Sequence, residues 1–559
     1  MNAEHLYFDC NASYGAHPHK HIEERWTLEH LLGDLDLAGI AGALVYHQQA
    51  VHYDPMLGNL RLCEEITPYR DRLFPCWVAL PNLCGDFPSV TEFVAQMEEH
   101  DIRAVRIDPY RFGAPVRERV WGELRDALLK KNTLCILPAS ANGNLENLDH
   151  LLEIFRNNNT LMVGHGWHQW RLIADLMREF PNLHLDFSTF QANRAMEVSA
   201  EMFGAKRCLF GTDLPFKAPG TARGFIDWTL LDNDSARLIA GENLRRLLGG
   251  IGPTEFPPQT IWDDELTQTA RHSQPLPCPV LDGHCHMLHK GGIAAGQSLV
   301  FQHGGPESMV EVTRRIGIDH TAIMSWAAPL SLDTDTGNLA VEYAVRTFPD
   351  DFSGVASINA EYDDEEKIDQ IIAYYHEELG FPGLKTYTPY QNIDYDDPLY
   401  DKWFSYANEH GLYLVYDPKH GSGATQCTRN LAERYPNMGL HLDHCGRSWE
   451  FAKWAVDMMH QYPNIWAQLN YTAATNGSVE WIVEQVGADR VLFGTDAPMR
   501  DPRPQAAWLT FTRLSEEDKR KIFGGNFARI LQEIKDKRKA SMEKSMPASQ
   551  YAVQLNGHR

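Results

Sequence analysis

The stretch LDGHCHM sets His284 and His286 two positions apart. On a β-strand that spacing sends both imidazoles to the same side of the sheet, where two neutral nitrogens could share one cation. Later in the chain stand His444 in LHLDHCG and Asp496 in LFGTDAP. Imidazole nitrogens with a carboxylate suit Zn²⁺ or a similar divalent ion, with one position left open for water. His289, His303, His410, His441 and His460 have no spacing that links them, and surface or core packing accounts for them.

Residues so far apart need a scaffold that gathers them, and the chain is written twice. CLFGTDLP recurs as VLFGTDAP, so Asp213 and Asp496 stand 283 positions apart; Asn243 in AGENLRRLL and Asn526 in FGGNFARIL keep the same offset. Pro181 pairs with Pro463, His165 with His444, Arg106 with Lys385 and Asp9 with Asp282, the offset drifting as loop insertions would make it drift. Each copy alternates short β-branched runs with amphipathic stretches, the rhythm of a parallel sheet. Strands are expected to begin near Tyr7, Gly42, Phe74, Ala104, Leu134, Leu161, Leu183 and Cys208, and near Val280, His320, Ser353, Gly383, Leu412, Gly439, Ile465 and Val491. Eight strands in ~250 residues predict an α/β fold of two tandem (β/α)8 TIM-type barrels. The first covers 1–250, a Pro-rich linker 251–278, the second 279–536, and a polar tail 537–559. In such barrels the C-terminal strand ends form the active-site mouth. His284, His286, His444 and Asp496 all fall at strand ends.

Composition narrows the partners. Of 559 residues, 43% are hydrophobic and 23% charged, and the net charge of −24 repels phosphate backbones and anionic lipids. Neither a nucleic acid nor a membrane is therefore an expected partner, and a small-molecule substrate is. MNAEHLYFDCNAS has no basic or apolar segment of a secretory signal, and no apolar run nears the ~20 residues that span a bilayer. Ten cysteines without a CxxC pair read as reduced thiols of a cytoplasmic protein.

The D-x-H-x-H of the first strand, the sixth-strand His, the GTD of the eighth and the closing GGN resemble the amidohydrolase superfamily. The branch resembled holds mononuclear hydrolases and decarboxylases of the aminocarboxymuconate-semialdehyde type. GLKTYTPYQNIDYDDPLYDKWFSYANEHGLYLVYD is similar to that branch as well. The resemblance implies one divalent ion per chain on His284, His286 and Asp496, with His444 orienting water or polarising substrate. Metal-bound water would ionise near pH ~7 rather than about 15.7, and Asp496 would pass its proton to the leaving group. Asp282 would set strand geometry. Where the family has a fifth-strand His this chain has Asp417, either an oxygen ligand or the opening of an Asp-Pro turn; His420 is a weaker candidate. Lys385 would contact substrate, as in mononuclear relatives, or snorkel. Arg447 would clamp a substrate carboxylate or lie solvated. The leading expectation is a metal-dependent hydrolase of an amide, lactone or related carbonyl bond. A metal-dependent non-oxidative decarboxylase is the first alternative, and a non-catalytic binding or scaffold protein the second.

In the first copy Asn11 and Ser13 replace the paired histidines and Pro138 ends strand five, leaving His165 and Asp213. That copy is expected to be a pseudo-enzyme, against a metal-free site of Arg106, Asp108, His165 and Asp213. Relatives in this branch are often dimers, so the two copies are expected to pack as an internal pseudo-dimer, with further homo-oligomers allowed. Deleting residues 1–250 should leave the second barrel insoluble or inactive; a soluble, fully active fragment would discard that role for the first copy.

Overall fold

The structure, a computed structural model, describes residues 5–18, 21–139, 145–288, 292–294, 299–331, 333–418 and 422–545. Eight parallel strands make the first sheet in sequence order: β1 (Tyr7–Tyr14), β2 (Ile40–His47), β3 (Leu73–Val78), β4 (Ala104–Arg106), β5 (Leu134–Pro138), β6 (Thr160–Val163), β7 (Leu183–Asp186) and β8 (Cys208–Leu209). The second sheet uses β9 (Leu281–Met287), then, after an antiparallel pair β10 (Gly292–Ala294) and β11 (Leu299–Phe301), β12 (His320–Ser325), β13 (Phe352–Ser357), β14 (Gly383–Lys385), β15 (Tyr413–Tyr416), β16 (Gly439–Leu442), β17 (Ile465–Leu469) and β18 (Val491–Phe493). Each sheet closes on itself: Ser13 N donates to Leu214 O at 2.8 Å, and His286 N to Ala497 O at 2.6 Å. Helices cover the outside, so the strands are buried on both faces and read as near-continuous apolar runs. These are two (β/α)8 barrels, and every expected strand start lies within two residues of the observed one.

The repeat extends to single hydrogen bonds. The Asn243 amide donates to Ala205 O and Cys208 O at 2.8 and 2.9 Å; the Asn526 amide donates to Ala488 O and Val491 O at the same two distances. Both asparagines follow a π-helical turn, at Leu238–Glu242 and Lys521–Gly525.

Two segments differ from expectation. The linker contains a helix, Glu265–Arg271, capped by Asp264 and Thr267, and its Leu266 and Ala270 are buried in the second barrel's core. Seven residues are too few to show helical periodicity among the prolines around them. The last helix, Asn526–Ser545, runs into the segment expected to be a polar tail. Good helix formers (Lys, Glu, Ala, Arg) continue it beyond the last core contact at Ile534.

The barrels pack through the loops that follow their seventh and eighth strands. Asp501 N donates to Gln191 O and Ala218 N to Ala474 O, both at 2.8 Å, and the two bonds are related by the 283-residue offset. Gly224 lies so close to the other barrel that a Cβ there would come within 2.2 Å of Arg503 O. Arg503 is fully buried between Glu197 of the first barrel, at 2.8 Å through Nη2 and Oε2, and Asp501 at 2.7 Å. Burial raises the Glu197 carboxyl, but Arg503 overrides it and holds the group down to about 2. A second cross-barrel anchor is Asp34, which accepts from Arg25 and Asn476 at 2.9 and 2.8 Å and from Arg513.

Replacing one partner of such a buried network strands the others without compensation, at about 3–5 kcal/mol. Arg503→Met should lower unfolding free energy by about that amount in urea titration; a loss under ~1 kcal/mol would show that the ion pairs do not hold the barrels together.

Candidate metal centre

The site begins with a carboxylate that ties the first strand of the second barrel to its last. Asp282 accepts from His284 N at 2.9 Å, Thr495 N at 3.0 Å and Thr495 Oγ1 at 2.6 Å. Burial raises its carboxyl to about 7, and the Thr495 and His284 hydrogen bonds oppose that rise. The β9 register shifts against β12 just after Asp282, a bulge that re-aims the side chains beyond it. Gly494 permits the approach of the two strands, since a Cβ there would lie 2.9 Å from the His284 Cβ.

The paired histidines then face each other. His284 Nε2 and His286 Nε2 are 3.2 Å apart. His284 Nδ1 faces Gln468 Oε1 at 3.0 Å and Asp443 Oδ1 at 3.4 Å; His286 Nδ1 faces Ser325 O at 3.3 Å. All three are acceptors, so each ring carries its proton on Nδ1. Burial lowers both imidazoles, His286 to about 3, and keeps them neutral near pH 7. Two bare lone pairs thus point at one another, and Asp496 Oδ1 lies 3.6 Å from each Nε2. A cation bonded at ~2.0–2.1 Å to both nitrogens would turn this repulsion into coordination. The donor set fits a divalent ion.

Beside this trio, Asp443 forms a second donor group with His284 and His444. Asp443 Oδ1 and His444 Nε2 are 3.3 Å apart and have no hydrogen-bond partner although both are buried atoms. Lys385 Nζ donates to Asp443 Oδ2 at 3.0 Å. Burial raises the Asp443 carboxyl, but His284, His444 and Lys385 together hold it well below the ordinary range. Burial likewise opposes Asp496, and Arg500 and His444 hold it low. His444 runs the other way: burial lowers it, but Asp443, Asp496 and Asp417 raise it above its ordinary value. His444 Nε2 is 3.4 Å from Asp496 Oδ2. His444 and Asp496 both take left-handed backbone, φ 60° and 55°. For non-glycine residues that is a strained conformation, here held by Asn470 Oδ1 accepting from His444 N and His284 O accepting from Asp496 N, both at 2.8 Å.

The trio opens into a cavity of about 240 Å³ walled by Trp326, Tyr387, Tyr390 and Tyr471. Lys385, Asp417, Arg447 and Arg500 also line it. Asp417 sits apart from the trio: its Oδ1 is 3.4 Å from Arg447 Nη1 and its Oδ2 3.9 Å from His444 Nδ1. Among the described residues it belongs to neither donor group, and Asp443 stands where a further oxygen donor was sought. Arg447 lies over the Phe451 ring at 3.7 Å, and Arg500 over Tyr471 at 4.9 Å. His289 and His420 lie outside the described residues.

Two residues escaped the sequence reading. Strand alternation sends Asp443 away from His444, but the left-handed turn at His444 brings both side chains to one side. Arg500 carried a usable signal, because it stands four positions after Asp496 just as Lys217 stands four after Asp213.

The first barrel keeps the staple and loses the donors. Asp9 accepts from Asn11 N at 2.9 Å, Thr212 N at 3.0 Å and the Thr212 hydroxyl. Ser13 Oγ is spent on Leu214 O at 3.0 Å and on the Gln48 amide at 2.8 Å. His165 is fully buried against Phe190 with neither ring nitrogen hydrogen-bonded, 3.6 Å from Asp186. Among the described residues both donor groups able to share an ion are in the second barrel.

A family model described as Amidohydrolase matches residues 59–250 and again 281–532. The chain belongs to the amidohydrolase family. Curated relatives include the gamma-resorcylate decarboxylase of Polaromonas sp. strain JS666, 29% identical over an alignment of 118 residues that covers 17% of this chain and 35% of that protein. The gamma-resorcylate decarboxylase of Rhizobium sp. strain MTP-10005 is 26% identical over an alignment of 122 residues that covers 18% of this chain and 36% of the relative. The chain thus matches about a third of the length of these relatives. Among solved structures, a dihydroxybenzoic acid decarboxylase from Polaromonas sp. JS666 with bound manganese is 18% identical, covers 46% of this chain and 97% of its own, and has a TM-score of 0.34. The expected hydrolase is overturned by these relatives, which are decarboxylases, the stated alternative. No helix among the described residues is long and apolar enough to cross a membrane.

Protein purified without chelator should carry about one divalent ion per chain by elemental analysis, and His284→Ala should carry less than a tenth of that. Chelation should lower the Tm of the parent and leave that of the variant unchanged. A parent chain free of metal, with a Tm indifferent to chelator, would remove the centre.

Proposed function

We propose that the second barrel catalyses the metal-dependent, non-oxidative decarboxylation of a small hydroxylated aromatic carboxylate. The observation that carries the reading is a cavity in which four aromatic rings and three cationic heads surround paired bare imidazoles and one carboxylate. The decarboxylase relatives support the same class of reaction. The ion would be held by His284 Nε2, His286 Nε2 and Asp496 Oδ1. When bound, it supplies Lewis acidity toward substrate oxygens; nitrogen and carboxylate donors accept zinc and manganese alike.

The chain's own residues do the rest. Lys385 is committed to Asp443, and Arg447 faces Asp417. Arg500 Nε stands 3.7 Å from Asp496 Oδ2 without a hydrogen bond to it, so its guanidinium can take the substrate's negative charge by charge-assisted hydrogen bonding while staying beside Asp496. Trp326, Tyr387, Tyr390 and Tyr471 hold the ring and keep water from it. When the bond from ring to carboxylate breaks, CO2 leaves and the electron pair stays on the ring carbon, which must gain one proton. His444, whose Nε2 stands 3.4 Å from Asp496 Oδ2, supplies that proton at the cavity floor and regains it from solvent.

Metal-loaded protein incubated with 2,6-dihydroxybenzoate in D2O should release CO2 and place one deuterium on the carbon that lost it. Asp496→Asn should cut the rate by about 10²-fold or more. Product containing water-derived oxygen with no CO2 released would contradict decarboxylation.

A further inference from the structure

Beside Arg503 and Arg513, the interface between barrels holds a further cation, Lys217, which has had no part in the centre described so far. Lys217 belongs to the first barrel, four residues after Asp213 and 283 before Arg500. Its side chain is buried, and its ammonium donates to Ser188 O of its own barrel at 3.1 Å and to Thr472 O of the second at 3.0 Å. The backbone around it grips the same loop. Lys217 bridges Thr475 in antiparallel fashion, Ala218 N donates to Ala474 O at 2.8 Å, and Asn476 N donates to Phe216 O at 3.1 Å. Asp213 and Asp186, remnants of the first barrel's own mouth, offset the buried charge. Burial pulls the ammonium down to about 8, these carboxylates resist it, and Arg500 of the second barrel adds to the fall.

Thr472 follows Tyr471, whose ring sits 4.9 Å from that of His444 and 4.9 Å beneath the Arg500 guanidinium. Gln505 fixes the Tyr471 backbone from the other side, accepting from its N–H and donating to its carbonyl, each at 3.2 Å. The loop bearing this ring is therefore clamped between the second barrel's Gln505 and the first barrel's Lys217. A lysine stem has many rotamers and a costly charge to bury; both costs are met here at a point one residue from the cavity wall.

We propose that Lys217 is a positioning residue for the second barrel: it fixes the Tyr471–Thr472 turn and, through the Tyr471 ring, aims Arg500 at the anionic group of the substrate. This rests on the reading of the substrate as a carboxylate. In the first copy the cation after GTD thus bridges its own barrel's mouth and the neighbouring barrel's loop.

The test uses the full-length, metal-loaded chain. Lys217→Met should raise KM for 2,6-dihydroxybenzoate about tenfold, the equivalent of ~1.4 kcal/mol, and leave kcat within about threefold. Lys217→Arg, which restores charge and donor, should bring KM back to within about threefold of the parent value. A crystal structure of Lys217→Met should show Arg500 displaced from the Tyr471 ring whatever the activity, so this arm decides the proposal even if the parent fails to decarboxylate and the functional reading falls. Should Lys217→Met not fold, Lys217→Gln, which keeps one N–H donor for Thr472 O, takes both measurements, with a smaller rise in KM expected. Unchanged KM with Arg500 still stacked, or a loss confined to kcat, would overturn the proposal.

Discussion

The carboxylate of Asp282 accepts from three donors on the first and last strands of a closed sheet, two of them backbone amides. Each such bond is worth about 0.5–1.5 kcal/mol, and together they decide where barrel closure falls. The closure brings His284, His286 and Asp496 together, although over two hundred residues separate the histidines from the carboxylate. It also fixes the ring tautomers indirectly, because it sets the rings against acceptors on neighbouring strands. Metal affinity here would thus be a property of the sheet as much as of the ligands: donor atoms 3.2–3.6 Å apart with their protons turned outward are arranged as an ion would need them.

The two copies separate the scaffold from its chemistry. Asp9 repeats the staple almost bond for bond, and Asn243 repeats the closing amide of Asn526, so both barrels close by the same device. What the first copy lacks is the pair of nitrogens, one replaced by Asn11 and the other by a serine whose hydroxyl is fully engaged. Its buried polar residues have instead become interface. Glu197 holds Arg503, Asp34 receives Arg513 and Asn476, and Lys217 reaches the loop under Arg500. Burying these charges is costly unless each is paired, and the pairing couples the second barrel's mouth to the first barrel's fold.

The architecture was legible because its signals are periodic and repeated. The short motifs around Asp213 and Asp496 fixed the duplication, and the strand starts followed from apolar runs bounded by turns. Of the residues named from the sequence, His286, Lys385, His444 and Asp496 line the cavity, and His284 lies buried behind His286. Asp443 was hidden because it depends on one left-handed residue, His444, which cancels strand alternation locally. Asp417 was sought as a ligand because it ends the right strand; in three dimensions it faces Arg447, a partner thirty residues away that no local pattern announces. The Glu265–Arg271 helix was hidden among prolines, and the chemistry itself was misjudged. Hydrolases and decarboxylases of this fold use the same donors, so the ligand motif does not separate them.

The central claim is that the His284 and His286 lone pairs face one another because a cation belongs beside them. Crystals grown without chelator, measured on either side of the absorption edge of the metal found in the protein, test this directly. The account predicts a single strong anomalous peak per chain at ~2.0–2.3 Å from both Nε2 atoms and in contact with Asp496, with none in the first barrel. An empty map at that position, with the two rings turned apart or one Nε2 protonated and donating to the other, would contradict it.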